Sequence, residues 1–155
     1  MNQINMQEIK SSLYQLCLNF IEERINTAET ALQQAREASN DDTKSSAGDK
    51  YETSREMMQQ DIDRNKRLLI DAEENQRVLA SLKDAPFSES ARNGSLVITD
   101  QGKFYLSISA GQLHLANETV FAISAVSPIG KLLLGKVKGS SFDFNGKKYQ
   151  IKEVA

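Results

Sequence analysis

The 155 residues predict an α+β fold in which a long N-terminal helical pair precedes a small C-terminal domain of strands and one short helix. Three observations carry this prediction. Apolar residues recur at intervals of three and four through the first part of the chain, whereas a period of two takes over beyond residue 93. Between the two regimes, DAPFSESARNG supplies a proline, which cannot continue a helix, and a run of turn-favouring residues.

The first helix is read from Ile9, Leu13, Leu16, Phe20, Ile25, Ala28, Leu32 and Ala35, with good polar helix formers such as Glu22, Glu23, Gln33 and Arg36 between them. The second is read from Tyr51, Met58, Ile62, Leu69, Ala72 and Leu79, close to a seven-residue repeat in which Asn65 and Gln76 occupy core-type slots. Each would run for roughly 33 residues, or about 50 Å. SNDDTKSSAGDKYE, residues 39–52, interrupts them with almost nothing apolar. Helices of similar length joined by a short polar segment can fold back as an antiparallel coiled-coil hairpin over residues 1–84, with its tip near 39–49. A compact bundle formed by dimerisation would use the same stripes; the sequence favours the hairpin in a monomer.

Residues 85–92 read as a linker, and 93–155 as the second domain. There Leu96 and Ile98, then Phe104, Leu106, Ile108 and Ala110, alternate with Tyr105, Ser107 and Ser109, which face the other way. Phe121 and Ile123 belong to a further strand. In SPIGKLLLGKVKG, Ser127 suits an N-cap, Pro128 the first helical position and Gly135 the left-handed residue that ends a helix. Ile129, Leu132 and Leu133 are expected to pack that short helix on the sheet. Asn145-Gly146 supplies both positive-φ residues of a type I′ hairpin turn, and the last strand, carrying Tyr149, Ile151 and Val154, is expected to be paired.

Composition excludes several classes. One cysteine, Cys17, allows no internal disulfide, and no Cys/His set has zinc-site spacing. The first twenty residues lack the charged start and continuous apolar run of a signal peptide, and no stretch is apolar enough to span a membrane, so a cytoplasmic location is expected. Residues 1–92 carry 12 Lys and Arg against 17 Asp and Glu, and residues 93–155 carry 7 against 4. The acidic and basic parts differ chemically; Lys131, Lys136 and Lys138 are compatible with a basic contact surface, although plainly solvated lysines are the commoner outcome for such residues. His114 has no plausible catalytic partner near it, and Cys17, beside Leu16 and Leu18, reads as a small core residue.

Ser127-Pro128-Ile129-Gly130-Lys131, followed by Leu133-Leu134-Gly135-Lys136, Gly139 and a hairpin ending Tyr149-Gln150-Ile151, resembles the C-terminal domain of the bacterial Gre transcript-cleavage and elongation factors. The likeness covers residues 93–155. It implies an FK506-binding-protein-like domain that docks on RNA polymerase, through Ser127, Pro128, Lys131, Gly135 and Lys136, and a hairpin that enters the polymerase secondary channel. It also implies a protein with no catalysis of its own, which at most stimulates the polymerase's intrinsic cleavage of backtracked RNA and meets nucleic acid only through the transcription complex.

The family's tip pairs two acids and follows them with Asn-Ala-any-Tyr and an arginine one turn later. Here Asp42-Thr43-Lys44 fits the start, Ser45 stands at the second acid, and Tyr51 and Arg55 keep their mutual spacing after two extra residues. The resemblance therefore makes Asp41, Asp42, Asp49 and Glu52 the candidates for sharing a polymerase Mg²⁺, with no metal or cofactor held stably by the chain. Hard Mg²⁺ takes carboxylate oxygens at near-octahedral positions, so their placement governs any benefit. Asp49 also fits a plain structural role, since Ser46-Ala47-Gly48-Asp49 and Asp49-Lys50-Tyr51-Glu52 both have capping-box spacing. A prolyl isomerase is the enzymatic alternative, but Phe104, Phe142 and Phe144 sit at core-type positions and no Trp is present to line an apolar pocket. A coiled-coil scaffold for an unrelated partner is the third reading.

Overall fold

The structure is a computed structural model that describes the backbone of residues 3–42 and 48–155 and the side chains of residues 5–38 and 52–155. Helices α1 (Gln3–Asp42) and α2 (Gly48–Ala80) precede β1 (Leu96–Thr99), β2 (Lys103–Ser107), β3 (Gly111–Leu115) and β4 (Glu118–Ser124). Then come α3 (Pro128–Leu133), β5 (Ser141–Phe144) and β6 (Lys147–Val154). The fold is α+β, with α1 and α2 in contact and one six-stranded sheet ordered β3-β4-β2-β1-β6-β5. The sheet is mixed, since β2 and β4 run parallel while the other neighbours are antiparallel. Two compact units are distinguishable: Met1–Phe20 with Arg77–Ala155, and Ile21–Gln76.

In the unit Ile21–Gln76, buried Ile21, Ala28 and Leu32 of α1 and Ala72 of α2 mark the packed stripes. Half-buried Ile25 and Ala35 continue the first stripe, and Met58, Ile62, Asn65 and Leu69 continue the second, at the spacing the sequence predicts. Asn65 satisfies its amide within its own helix by donating to the Asp61 carbonyl at 2.8 Å. Gln76 corrects the expected pattern: it is exposed, and Asn75 is the half-buried residue of that turn.

The other unit is built around the sheet. On one face Val97, Phe104, Leu106, Leu133, Phe142 and Ile151 form a core that α3 helps to cover, and Phe142 stacks on Tyr149 with centroids 5.0 Å apart. Tyr105 and Ser107 do point to the opposite face, as their alternation predicts, but that face is covered as well. The start of α1 lies against it, bringing Cys17 Sγ to 3.7 Å from Ser107 Oγ. Cys17 is fully buried, as expected of a small core residue.

Along this part of α1 Leu13 is buried as predicted, whereas Lys10, Cys17 and Ile21 are the buried residues in place of the predicted Ile9, Leu16 and Phe20, which are half-buried; Met6 is buried as well. A charged residue interrupts the apolar signal there. Lys10 is 4% exposed, and its ammonium donates to the carbonyls of Ala85 at 3.1 Å and Pro86 at 3.3 Å. Burial is tolerable because these acceptors replace water.

The Asn145-Gly146 turn has the expected positive φ values, 51° and 76°, and joins β5 to β6. β6 is paired on both sides, with β1 and β5. The β3–β4 hairpin was not anticipated from sequence. Its turn puts Ala116 at φ 55°, a conformation whose usual signal is Gly or Asn. Among the described residues no helix is long and apolar enough to cross a membrane.

Candidate functional site

Two groups of residues carry the functional expectations, and each follows from local helix chemistry. Asp41 and Asp42 are the last two residues of α1, and no basic residue lies in its last turn. Helix C-termini concentrate unpaired carbonyls and partial negative charge, so an aspartate pair there is locally unfavourable and makes the end attractive to a cation. Asp49 and Glu52 lie in the first turns of α2, where the opposite dipole favours carboxylates. Glu52 is exposed. Asp49 lies within α2, and the capping-box expectations around it fall on residues and side chains outside those described. Thr43, Lys44, Ser45, Ser46 and Ala47 lie outside the described residues, as do the side chains of Asp41, Asp42, Asp49 and Tyr51.

The second group is brought together by α3. Ser127 caps the helix: its hydroxyl accepts from the Gly130 amide at 3.1 Å and donates to the Ser124 carbonyl at 2.6 Å. Pro128 follows at the first helical position, where its missing amide hydrogen costs nothing. Gly130 makes the tight entry possible. A Cβ there would lie 2.1 Å from the Ser124 carbonyl oxygen and 2.8 Å from Ser127 Oγ.

Gly135 ends the helical segment at φ 80°, and its amide donates to the Ala91 carbonyl at 2.7 Å. The Ala91 amide in turn donates to the Lys136 carbonyl at 2.8 Å. The chain after α3 is thereby tied to the segment that precedes β1, and Ser90 and Val137 form an isolated bridge beside these bonds. Ser127, Pro128, Gly130 and Gly135 thus have complete structural explanations.

Around them the surface is apolar and basic. Lys131 and Pro128 are exposed, Lys136 is half-buried, and Lys138 forms a 3.0 Å ion pair with Glu153. Val126, Leu134 and Val137 are exposed apolar side chains in the same stretch. Leu132 corrects the expectation that it packs on the sheet: Leu133 fills the core, Ile129 packs beside it, and Leu132 remains at the surface because a six-residue helix presents only one face inward.

His114 is exposed and lies 3.3 Å from the Thr119 hydroxyl through Nδ1. Among the described residues, no three His, Cys, Asp or Glu side chains converge as a metal site. Phe104, Phe121, Phe142 and Tyr149 pack against one another in or beside the core.

Sequence reasoning passed over Lys10 and Tyr105. Burial, with the Arg92 charge adding to it, lowers the Lys10 ammonium to a pKa of about 8. Burial drives the Tyr105 phenol well above its ordinary value, with Cys17 and Tyr14 contributing. The signal for Lys10 was its place four residues after Met6 and three before Leu13, a helix-stripe position held by a cation.

No protein-family model matches the chain, and no curated protein matches it either.

Proposed function

We propose that this chain is a Gre-like regulator of transcription elongation that binds bacterial RNA polymerase, with an FK506-binding-protein-like C-terminal domain, and enters its secondary channel as a coiled-coil hairpin. The single observation that carries the reading is the contact of two unusually long helices, of 40 and 33 residues, with Asp41 and Asp42 ending the first and Asp49 the second residue of the other. From Ile21 to Asp42 the first helix alone extends about 33 Å, sufficient to carry Asp41 and Asp42 into a deep channel. Supporting it separately are the exposed Lys131, Leu134 and Val137, which give the segment around α3 a basic and apolar surface suited to protein docking.

Asp41 and Asp42 would act by presenting hard oxygen ligands and negative charge where the polymerase already holds Mg²⁺. That metal supplies Lewis-acid activation of the attacking water. The carboxylate donor chemistry fits such sharing, and the C-terminal partial charge of α1 adds to it. Asp49 and Glu52 are the other candidate donors.

A variant reading keeps the channel binding and omits cleavage stimulation. It is favoured by Ser45, which stands where the Gre pattern has its second acid. The deciding experiment is RNA cleavage by backtracked polymerase complexes with wild type and Asp42→Ala, together with recovery of the large polymerase subunits on the tagged chain. The cleavage reading expects acceleration that Asp42→Ala lowers at least tenfold without loss of binding. Binding without acceleration selects the channel-occupying regulator. Failure to recover polymerase at low salt removes both and leaves a coiled-coil scaffold for another partner.

A further inference from the structure

The six-stranded sheet ends on β3 at one side and on β5 at the other, so each of these strands turns one row of backbone N–H and C=O groups away from its neighbour. Proteins ordinarily blunt such edges with a charge, a proline, a bulge or a very short strand. β5 has four residues and carries Asp143. β3, which reads Gly111-Gln112-Leu113-His114-Leu115, has no charge and no proline, and it keeps an unbroken register with β4 over all five residues. It is the unguarded edge.

The register fixes which of its groups point outward. Only Ala116 and Asn117 separate Leu115 from Glu118, so these two partners form the hydrogen-bonded pair that closes a two-residue hairpin. Bonded and non-bonded pairs alternate along an antiparallel ladder, and Leu113 and Gly111 therefore also bond to β4. Gln112 and His114 direct their amides and carbonyls to the open edge. Both residues are exposed, whereas Leu113 between them is buried.

A second copy of the same strand fits this edge. When two β3 strands run antiparallel about a two-fold axis at Leu113, Gln112 of each copy lies opposite His114 of the other, and the outward backbone groups of both residues are paired. Their side chains project from one face of the sheet and meet across the axis, where a carboxamide, both donor and acceptor, matches an imidazole in either tautomer. Leu113 meets its own counterpart on the other face, and no like charges are brought together. A foreign strand would be selected by charges or side-chain pockets along the edge, and β3 has no charge with which to select one. We propose that β3 is a self-association surface through which two copies of this chain join their sheets edge to edge. The surface stands apart from the polymerase reading and does not depend on it.

The contact is small, two strands of five residues, so the expected dimer is weak and concentration-dependent. Sedimentation equilibrium of the full chain up to about 1 mM, with amide exchange at low and high concentration, tests it. The wild type is expected to dimerise, with the Gln112 and His114 amides gaining protection as concentration rises. The double variant Gln112→Lys, His114→Lys sets like charges opposite each other at both cross-strand positions; it should weaken association about tenfold or more, with an unchanged unfolding midpoint in dilute solution. The variant Gln112→Glu, His114→Glu should be monomeric alone and dimerise when mixed with the lysine variant, a rescue that belongs to this register. A wild type that stays monomeric leaves the edge to a strand of another protein and overturns the proposal. Undiminished dimerisation of the lysine variant, or mixed variants that fail to associate, overturns it as well.

Discussion

The ammonium nitrogen of Lys10 lies 3.1 Å from the carbonyl oxygen of Ala85, a residue 75 positions further along the chain. A neutral amine retains two N–H groups, enough for the carbonyls of Ala85 and Pro86, so the folded site tolerates loss of the charge. The ammonium is nearly enclosed, and its pKa falls from the ordinary 10.5 to about 8. Between these values the folded chain binds fewer protons than the unfolded chain, and stability therefore rises with pH. Below about pH 8 both forms are protonated and the slope vanishes. From pH 7.5 to 9.5 the wild type should gain about 1–2 kcal/mol relative to Lys10→Met. Urea unfolding at the two pH values checks this, and parallel behaviour of the two proteins would rule it out.

Gly130 should be among the least replaceable residues of the sheet domain. An added Cβ meets the Ser124 carbonyl at 2.1 Å, and relief requires displacing the Ser127 cap. Gly130→Ala is expected to destabilise by about 2–3 kcal/mol, read from denaturant midpoints. A change below about 0.5 kcal/mol would show that the entry to α3 relaxes freely.

Cys17 should resist alkylation in the folded protein. Burial pushes its thiol up to about 11, opposed by the contact with Ser107, and its side chain is sealed from solvent. At pH 8 the thiolate fraction is about a hundredfold below that of an ordinary cysteine, before access is considered. Labelling with iodoacetamide should thus await unfolding, and rapid native-state labelling would contradict the packing of α1 on the sheet.

Asp41 and Asp42 oppose the dipole at the end of α1, so their removal should separate stability from function. The paired substitution Asp41→Asn and Asp42→Asn is expected to raise stability by about 0.5–1.5 kcal/mol at low salt while lowering the response of a backtracked polymerase. Thermal unfolding and the cleavage assay measure the two effects. Lower stability would mean that the carboxylates serve the fold instead.

Leu133 fills the sheet core whereas Leu134 is exposed, although they are adjacent and chemically identical. Leu133→Ala should cost about 2–4 kcal/mol, and Leu134→Ala should remain within about 0.5 kcal/mol. Equal destabilisation by the two variants would contradict the observed face of α3.

Much of the fold was legible because its signals are local. The heptad-like spacing of Met58, Ile62 and Leu69 specified a helix face, Ser127-Pro128 specified a helix start, and Asn145-Gly146 specified a turn. β3 escaped because Ala116 adopts its positive φ without the residue type that advertises it. The acids around residues 41–52 were legible as a charged interruption, and their positions at opposite helix ends came from the backbone. Lys10 and Tyr105 were passed over because a charged side chain and an alternating tyrosine ordinarily face water.

Sequence alone determined the order of helices and strands, their periods and the chemistry of their ends, since these depend on residues only a few positions apart. Tertiary structure decided that both faces of β2 are covered, that Lys10 replaces water with the carbonyls of Ala85 and Pro86, and that Tyr105 is buried instead of facing solvent. Each outcome requires surfaces from distant parts of the chain to meet. Burial is a property of that meeting, and periodicity specifies a face without naming what will cover it.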